Sequence, residues 1–84
     1  LIGDFNSPPE RQDMQALFDA GWIDVWAVHG SNDGSTFPSH APRHRIDYIL
    51  ASPEAAQSVR RIEVVETLAS DHFPVVVELD TGAL

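Results

Sequence analysis

Ser70-Asp71-His72-Phe73-Pro74-Val75-Val76-Val77 is the stretch that decides the fold, because an acid and an imidazole lead straight into a hydrophobic strand. The opening, Leu1-Ile2-Gly3-Asp4-Phe5-Asn6, mirrors it: an apolar pair gives way to a loop carrying an acid and an amide. Between them Arg45-Ile46-Asp47-Tyr48-Ile49-Leu50 places a charge inside an otherwise apolar strand. A buried strand fixes its end residues in space, and a loop lets those side chains reach water, metal or substrate. Three carboxylates, one carboxamide and one imidazole at such junctions form a donor set suited to metal-assisted hydrolysis.

Working outward, Ser7-Pro8-Pro9-Glu10 carries three helix-start signals: Ser as N-cap, Pro at the first helical position, and Glu three residues after the Ser. The helix is expected to run to about Ala20, with Met14, Leu17 and Phe18 on one face and Gly21 as the left-handed residue that closes it. Trp22, Ile23, Val25, Trp26 and Val28 form a short apolar stretch expected to pack against that helix. His29 to Pro42 turns to Gly, Ser, Asn, Asp and Pro, a loop with a short strand at Thr36-Phe37. Arg45 to Ala51 reads as a strand, Glu54 to Ser58 as one helical turn, Arg61 to Thr67 as a more exposed strand, and Phe73 to Leu79 as the last strand. Thr81 to Leu84 reads as a frayed tail. The order predicts an α/β fold built on one mostly antiparallel sheet with an outer helix.

Eighty-four residues allow one modest domain, which buries only roughly two-thirds of the surface its unfolded chain exposes. A hydrophobic content of 43% with two Trp and four Phe is that of a globular chain. The net charge of −8 argues against holding nucleic acid by a broad basic face. It is compatible with a nuclease, because a divalent cation in a carboxylate site supplies positive charge where phosphate sits. With no cysteine, disulfides and thiolate zinc sites are excluded. No apolar run approaches the roughly 20 residues of a membrane helix. Leu1-Ile2 looks like the tail of a buried strand, and strands typically have about five or six residues. The chain is therefore expected to be the C-terminal part of a larger protein.

Each candidate residue has a structural alternative. Asp4 and Asn6, two apart, share a side of an extended backbone; they could hold a water and a phosphate oxygen together, or the stretch is simply an Asx-type turn before the helix in which Asn6 and Ser7 satisfy backbone donors. Asp47 within an apolar strand needs a partner, because a buried charge is costly alone. That partner is either Arg45, two residues away on the same face, or a histidine that Asp47 orients. Asp71 offers an oxygen suited to Mg²⁺ or Mn²⁺, and His72 beside it can donate to a phosphate oxygen or act as acid or base; otherwise the pair is a surface turn. His29, His40 and His44 lie in the polar loop region without the convergence a zinc site requires.

Gly3-Asp4-Phe5-Asn6, then Arg45-Ile46-Asp47-Tyr48-Ile49, then Ser70-Asp71-His72-Phe73-Pro74-Val75 resemble the three C-terminal motifs of the endonuclease/exonuclease/phosphatase superfamily. Thr36-Phe37-Pro38-Ser39 also resembles bacterial members. The resemblance implies a four-layer α/β sandwich, of which residues 1–84 would be the C-terminal half, and Mg²⁺-dependent hydrolysis of a phosphoester by an activated water. It implies that Asp4 orients or deprotonates the water, Asn6 holds the scissile phosphate and Asp71 serves the metal site. It also implies that His72 contacts the phosphate, with Asp47 hydrogen-bonded to its imidazole. Family substrates range from DNA to lipids and soluble inositol phosphates, and the acidic balance leans toward small phosphoesters. The family's N-terminal half, with its metal-binding Asn and Glu, would have to come from the rest of the same domain. The alternative is a catalytically silent binding domain of the same fold.

Overall fold

A computed structural model describes residues 1–80, so the expected tail at Thr81 to Leu84 lies outside the described residues. The elements in order are β1 (Ile2–Asp4), α1 (Gln12–Asp19), β2 (Ile23–Asp24), α2 (Val25–His29), β3 (Asp47–Ala51), α3 (Pro53–Ala56), β4 (Val59–Val64) and β5 (Val75–Leu79). The fold is mixed α/β, and among the described residues every strand pairing is antiparallel. The described strands form two sheets, β1-β3-β2 and β4-β5.

β3 is the centre of the molecule, and its alternation explains why. Tyr48 and Leu50 point to one face, where they pack with Met14 under Leu17, Phe18 and Trp22. Ile49 and Ala51 point to the other, against the cluster of Val25, Trp26 and Ile62 that the β4-β5 hairpin completes with Val59, Val64, Val75 and Val77. The expected Met14-Leu17-Phe18 face is thus the one that covers the sheet. Asp47 belongs to the same face of β3 as Ile49, the one turned toward the hairpin and the loop leading into β5.

Several boundaries differ from the sequence reading, each for a physical reason. α1 begins at Gln12 instead of Pro8. Pro9 disfavours helical geometry at the residue before it, and residues 8–11 close instead as a turn in which the Arg11 N–H donates to the Pro8 carbonyl at 3.1 Å. Ser7 does not cap the helix; its hydroxyl donates to Asp13 Oδ2 at 2.7 Å, and that bond lowers the Asp13 pKa. The far end closes as expected: Gly21 has φ +103°, its N–H bonds Phe18, and the Trp22 N–H bonds Leu17, the paired bonds of a Schellman motif. The turn after Ser52 forms as Pro53–Ala56, with the Ser52 hydroxyl accepting from the Ala55 N–H at 3.2 Å. The short strand expected at Thr36-Phe37 is a single bridge, Phe37 to His44.

β3 starts at Asp47, not Arg45, so Asp47 sits at a strand end and not in its interior. The strand placed at Arg61 to Thr67 is shifted to Val59–Val64, and the last strand starts at Val75 because Pro74 has no N–H to give a ladder. β5 pairs with β4, not with the strand of Asp47. Among the described residues no helix is long and apolar enough to cross a membrane.

Candidate active site

The register of β1 against β3 is what builds the site. Ile2 lies opposite Ile49, Gly3 opposite Tyr48, and Asp4 opposite Asp47. Directly opposed residues project to the same side of a sheet, so two carboxylates 43 positions apart in sequence become neighbours. Like charges so placed repel. The ring of His72 answers that repulsion: Nδ1 lies 2.7 Å from Asp47 Oδ2, and Nε2 lies 3.7 Å from Asp4 Oδ2.

The hydrogen bond to Asp47 is the main reason the His72 pKa is raised; partial burial opposes it, and the charges of Asp47, Asp4 and Asp71 reinforce it. With Asp47 accepting from Nδ1, the second nitrogen is left facing Asp4. A cleft of about 290 Å³ opens beside this group, lined by Gly3, Asp4, Asp47, His72, Phe73 and Pro74.

Asp47 holds its position through Thr36, which the sequence marked as part of a short strand and of a stretch with a family resemblance but not as a site residue. The Thr36 hydroxyl, fully buried, donates to the same Asp47 Oδ2 at 2.5 Å. Its signals were a β-branched residue beside an aromatic in a Gly-, Ser- and Pro-rich segment and the resemblance of Thr36-Phe37-Pro38-Ser39 to bacterial family members, neither of which named this bond. Arg45, weighed as the partner of Asp47, instead forks Asp24 with bonds of 3.0 and 2.7 Å. It lies 5.0 Å from the centre of the Tyr48 ring. Tyr48 in turn donates to the Ser7 carbonyl at 2.6 Å, and burial pushes its phenol pKa strongly up.

The remaining two candidates are placed differently. Asn6 has φ +53°, and its backbone N–H donates to Asp4 Oδ1 at 2.8 Å. This is an Asx-type turn made by the Asp4 carboxylate, not by Asn6 or Ser7 as expected, and it pins that carboxylate. The Asn6 side chain is exposed and has no hydrogen-bond partner among the described residues. Asp71 is also exposed; its carboxylate accepts a 3.3 Å bond from Ser70 Oγ and stays outside the group formed by Asp4, Asp47 and His72.

In that group, one potential ligand atom from each of the three residues lies within 4.8 Å of the others. Asp47 Oδ2 already has two partners, so Asp4 is the carboxylate with the most free capacity. Mg²⁺ is commonly held by one or two carboxylates and keeps several waters. The donor set fits such a partly hydrated ion better than an all-protein cage.

No curated protein matches the chain. Residues 1–72 match the sequence profile of the endonuclease/exonuclease/phosphatase family, a stretch that takes in β1, β3 and His72, and the chain belongs to that family.

Proposed function

We propose that this chain carries the proton-transfer and phosphate-facing side of a divalent-metal-dependent phosphoester hydrolase. On this reading residues 1–84 form the C-terminal part of a single domain whose N-terminal half supplies further metal ligands. The observation that carries it is the Asp4–His72–Asp47 arrangement, in which one imidazole nitrogen is tied to a carboxylate and the other faces a second carboxylate beside an open cleft.

Asp4 takes the proton of an attacking water as its oxygen bonds to phosphorus and the bond to the leaving oxygen breaks. The raised proton affinity of His72 favours the imidazolium, whose Nε2–H donates to a phosphoryl oxygen while Asp47 holds the opposite nitrogen. Asn6 offers its exposed carboxamide as a donor to the same phosphate. Asp71, exposed on the adjoining loop, would serve the metal site together with ligands from the N-terminal half, and Mg²⁺ or Mn²⁺ bound there would withdraw charge from the phosphate and lower the pKa of the attacking water. The substrate is a phosphoester of a small molecule, a lipid head group or a nucleic acid.

The test is turnover by the intact protein of bis(p-nitrophenyl) phosphate and p-nitrophenyl phosphate, with Mg²⁺ or Mn²⁺ and after chelation. The comparison of the two substrates separates diesterase from monoesterase. Asp4→Asn and His72→Gln are each expected to lower kcat by about 10²- to 10⁴-fold, and Asp71→Ala to abolish metal-dependent turnover while leaving the fold intact. Full activity in either of the first two would refute the roles given to them.

A further inference from the structure

Segment 36–39 runs alongside segment 70–73 and contacts it through Thr36, Phe37 and Ser39. The Phe73 N–H donates to the Thr36 carbonyl at 2.8 Å, and the Phe37 ring packs on the His72 ring with centroids 4.8 Å apart. The Ser39 N–H donates to the Asp71 carbonyl at 2.8 Å, and the Ser39 hydroxyl to the Ser70 carbonyl at 2.6 Å. These contacts fix the backbone on both sides of His72 and one face of its ring. Thr36 alone reaches past the histidine loop to its partner, through the bond from its hydroxyl to Asp47 Oδ2.

Both bonds to Asp47 converge on one oxygen, from Thr36 Oγ1 and from His72 Nδ1. A lone carboxylate at a strand end rotates about its last torsion, and a single histidine bond leaves that rotation loosely determined. A second donor from a fully buried hydroxyl locks it. Every buried polar side-chain atom among the described residues has a partner, so the hydroxyl is committed to this bond.

We propose that Thr36 is a positioning residue for the hydrolysis: its buried hydroxyl fixes the Asp47 carboxylate, which in turn fixes the His72 imidazole with Nε2 toward the cleft. This rests on the function proposed above, and the geometric part of it can be tested without turnover.

The experiment compares Thr36→Val, which removes the hydroxyl and keeps the branched shape, with Thr36→Ser, which keeps the hydroxyl, both in the intact protein. Two-bond ¹H–¹⁵N correlation spectra, with the His72 signals assigned through His72→Gln, report which nitrogen of the neutral ring carries the proton. The parent and Thr36→Ser are expected to show the Nδ1–H form, and Thr36→Val a mixture shifted toward Nε2–H. On p-nitrophenyl substrates Thr36→Val is expected to lose about tenfold or more in kcat, the range for residues that orient a catalytic group through another, with KM little changed. Thr36→Ser should retain most of the parent rate.

A Thr36→Val protein with the parent's tautomer and kcat would overturn the proposal. So would a folded Thr36→Ser as impaired as Thr36→Val, since that would assign the role to the methyl group. Should Thr36→Val fail to fold, Thr36→Ser decides: the parent tautomer and rate support the hydroxyl, and their loss overturns it. If the intact protein hydrolyses no phosphoester, the functional reading fails while the tautomer comparison still decides what Thr36 holds.

Discussion

Replacing Arg45 by Met is expected to destabilise the protein by more than any single change at its surface. The Arg45 guanidinium forks the Asp24 carboxylate, and the two side chains are only 12% and 9% exposed. Asp24 stands at the N-cap of α2 but makes no capping bond, so Arg45 is the partner its carboxylate has. Losing that partner strands a nearly buried carboxylate, which costs about 3–5 kcal/mol. The guanidinium also faces the Tyr48 ring, a contact worth about 0.5–1 kcal/mol. The sum, about 4 kcal/mol, is a large share of a typical stability of about 5–15 kcal/mol. In the intact domain, of which these residues are one part, each kcal/mol moves Tm by about 2–4 °C, so a drop of roughly 8–16 °C is expected.

Denaturant unfolding followed by tryptophan fluorescence measures it directly, because Trp22 and Trp26 flank Asp24 in sequence. The diagnostic arm is the double variant Arg45→Met, Asp24→Leu. With both charges gone there is nothing left to desolvate, and apolar replacement of a buried pair is often neutral or stabilising by about 1–4 kcal/mol. The double variant should therefore recover most of what the single one loses. An Arg45→Met penalty under about 1 kcal/mol would mean the pair behaves as a solvent-exposed one, and a double variant no better than the single would mean the loss comes from packing.

Asp47→Asn can keep both bonds at one oxygen while losing the charge, so kcat should fall about tenfold, whereas Asp47→Ala, which frees both Thr36 and His72, should fall further; equal losses in steady-state kinetics would refute the distinction. Ser7→Ala removes the bond that lowers the Asp13 pKa. A lowered carboxylate pKa stabilises the fold above the unfolded value of 3.8 and is lost as pH falls through the folded value, so the parent's advantage in thermal unfolding should be present at pH 6 and shrink toward pH 2.5. Residues 1–84 expressed alone leave Ile2 78%, Leu68 77% and Val28 63% exposed. They are expected to aggregate or unfold without a sharp transition and to hydrolyse no phosphoester, and clean monomeric unfolding in calorimetry would contradict this.

The parts of the site legible in the sequence were those encoded locally. An acid at the junction of an apolar run and a loop marked Asp4, a charge inside an apolar strand marked Asp47, and the cost of a lone buried carboxylate left Arg45 or a histidine as its partner, His72 being the one that the family resemblance implied. What stayed hidden depended on distant partners. Arg45 and Asp47 share a strand direction and two-residue spacing, yet Arg45 is drawn to Asp24, 21 positions upstream, because β2 lies beside β3 and brings that carboxylate within reach. The Asp47–His72 contact owes nothing to a pairing of β3 with β5, since β5 pairs with β4. It forms because segment 36–39 carries the loop before β5 to the end of β3. The helix start at Ser7 misled for a local reason: two prolines satisfied the pattern of a cap while their geometry closed a turn.

One consequence of the register ties stability to chemistry. A sheet that sets Asp4 opposite Asp47 stores a repulsion between like charges at its open end. Nothing in β1 or β3 relieves it, since the neighbouring cross-strand pairs are Gly3 with Tyr48 and Ile2 with Ile49. The relief comes from groups that bring positive charge or N–H donors into the gap, and His72 does so by bonding one carboxylate and facing the other. The same gap attracts a divalent cation, whose charge is greater than that of an imidazolium. The sheet therefore creates the demand for a cation or a donor, and the loop before β5 answers it with the His72 ring. On the proposed function, the same pull that raises the His72 pKa favours the N–H donor that the phosphate needs.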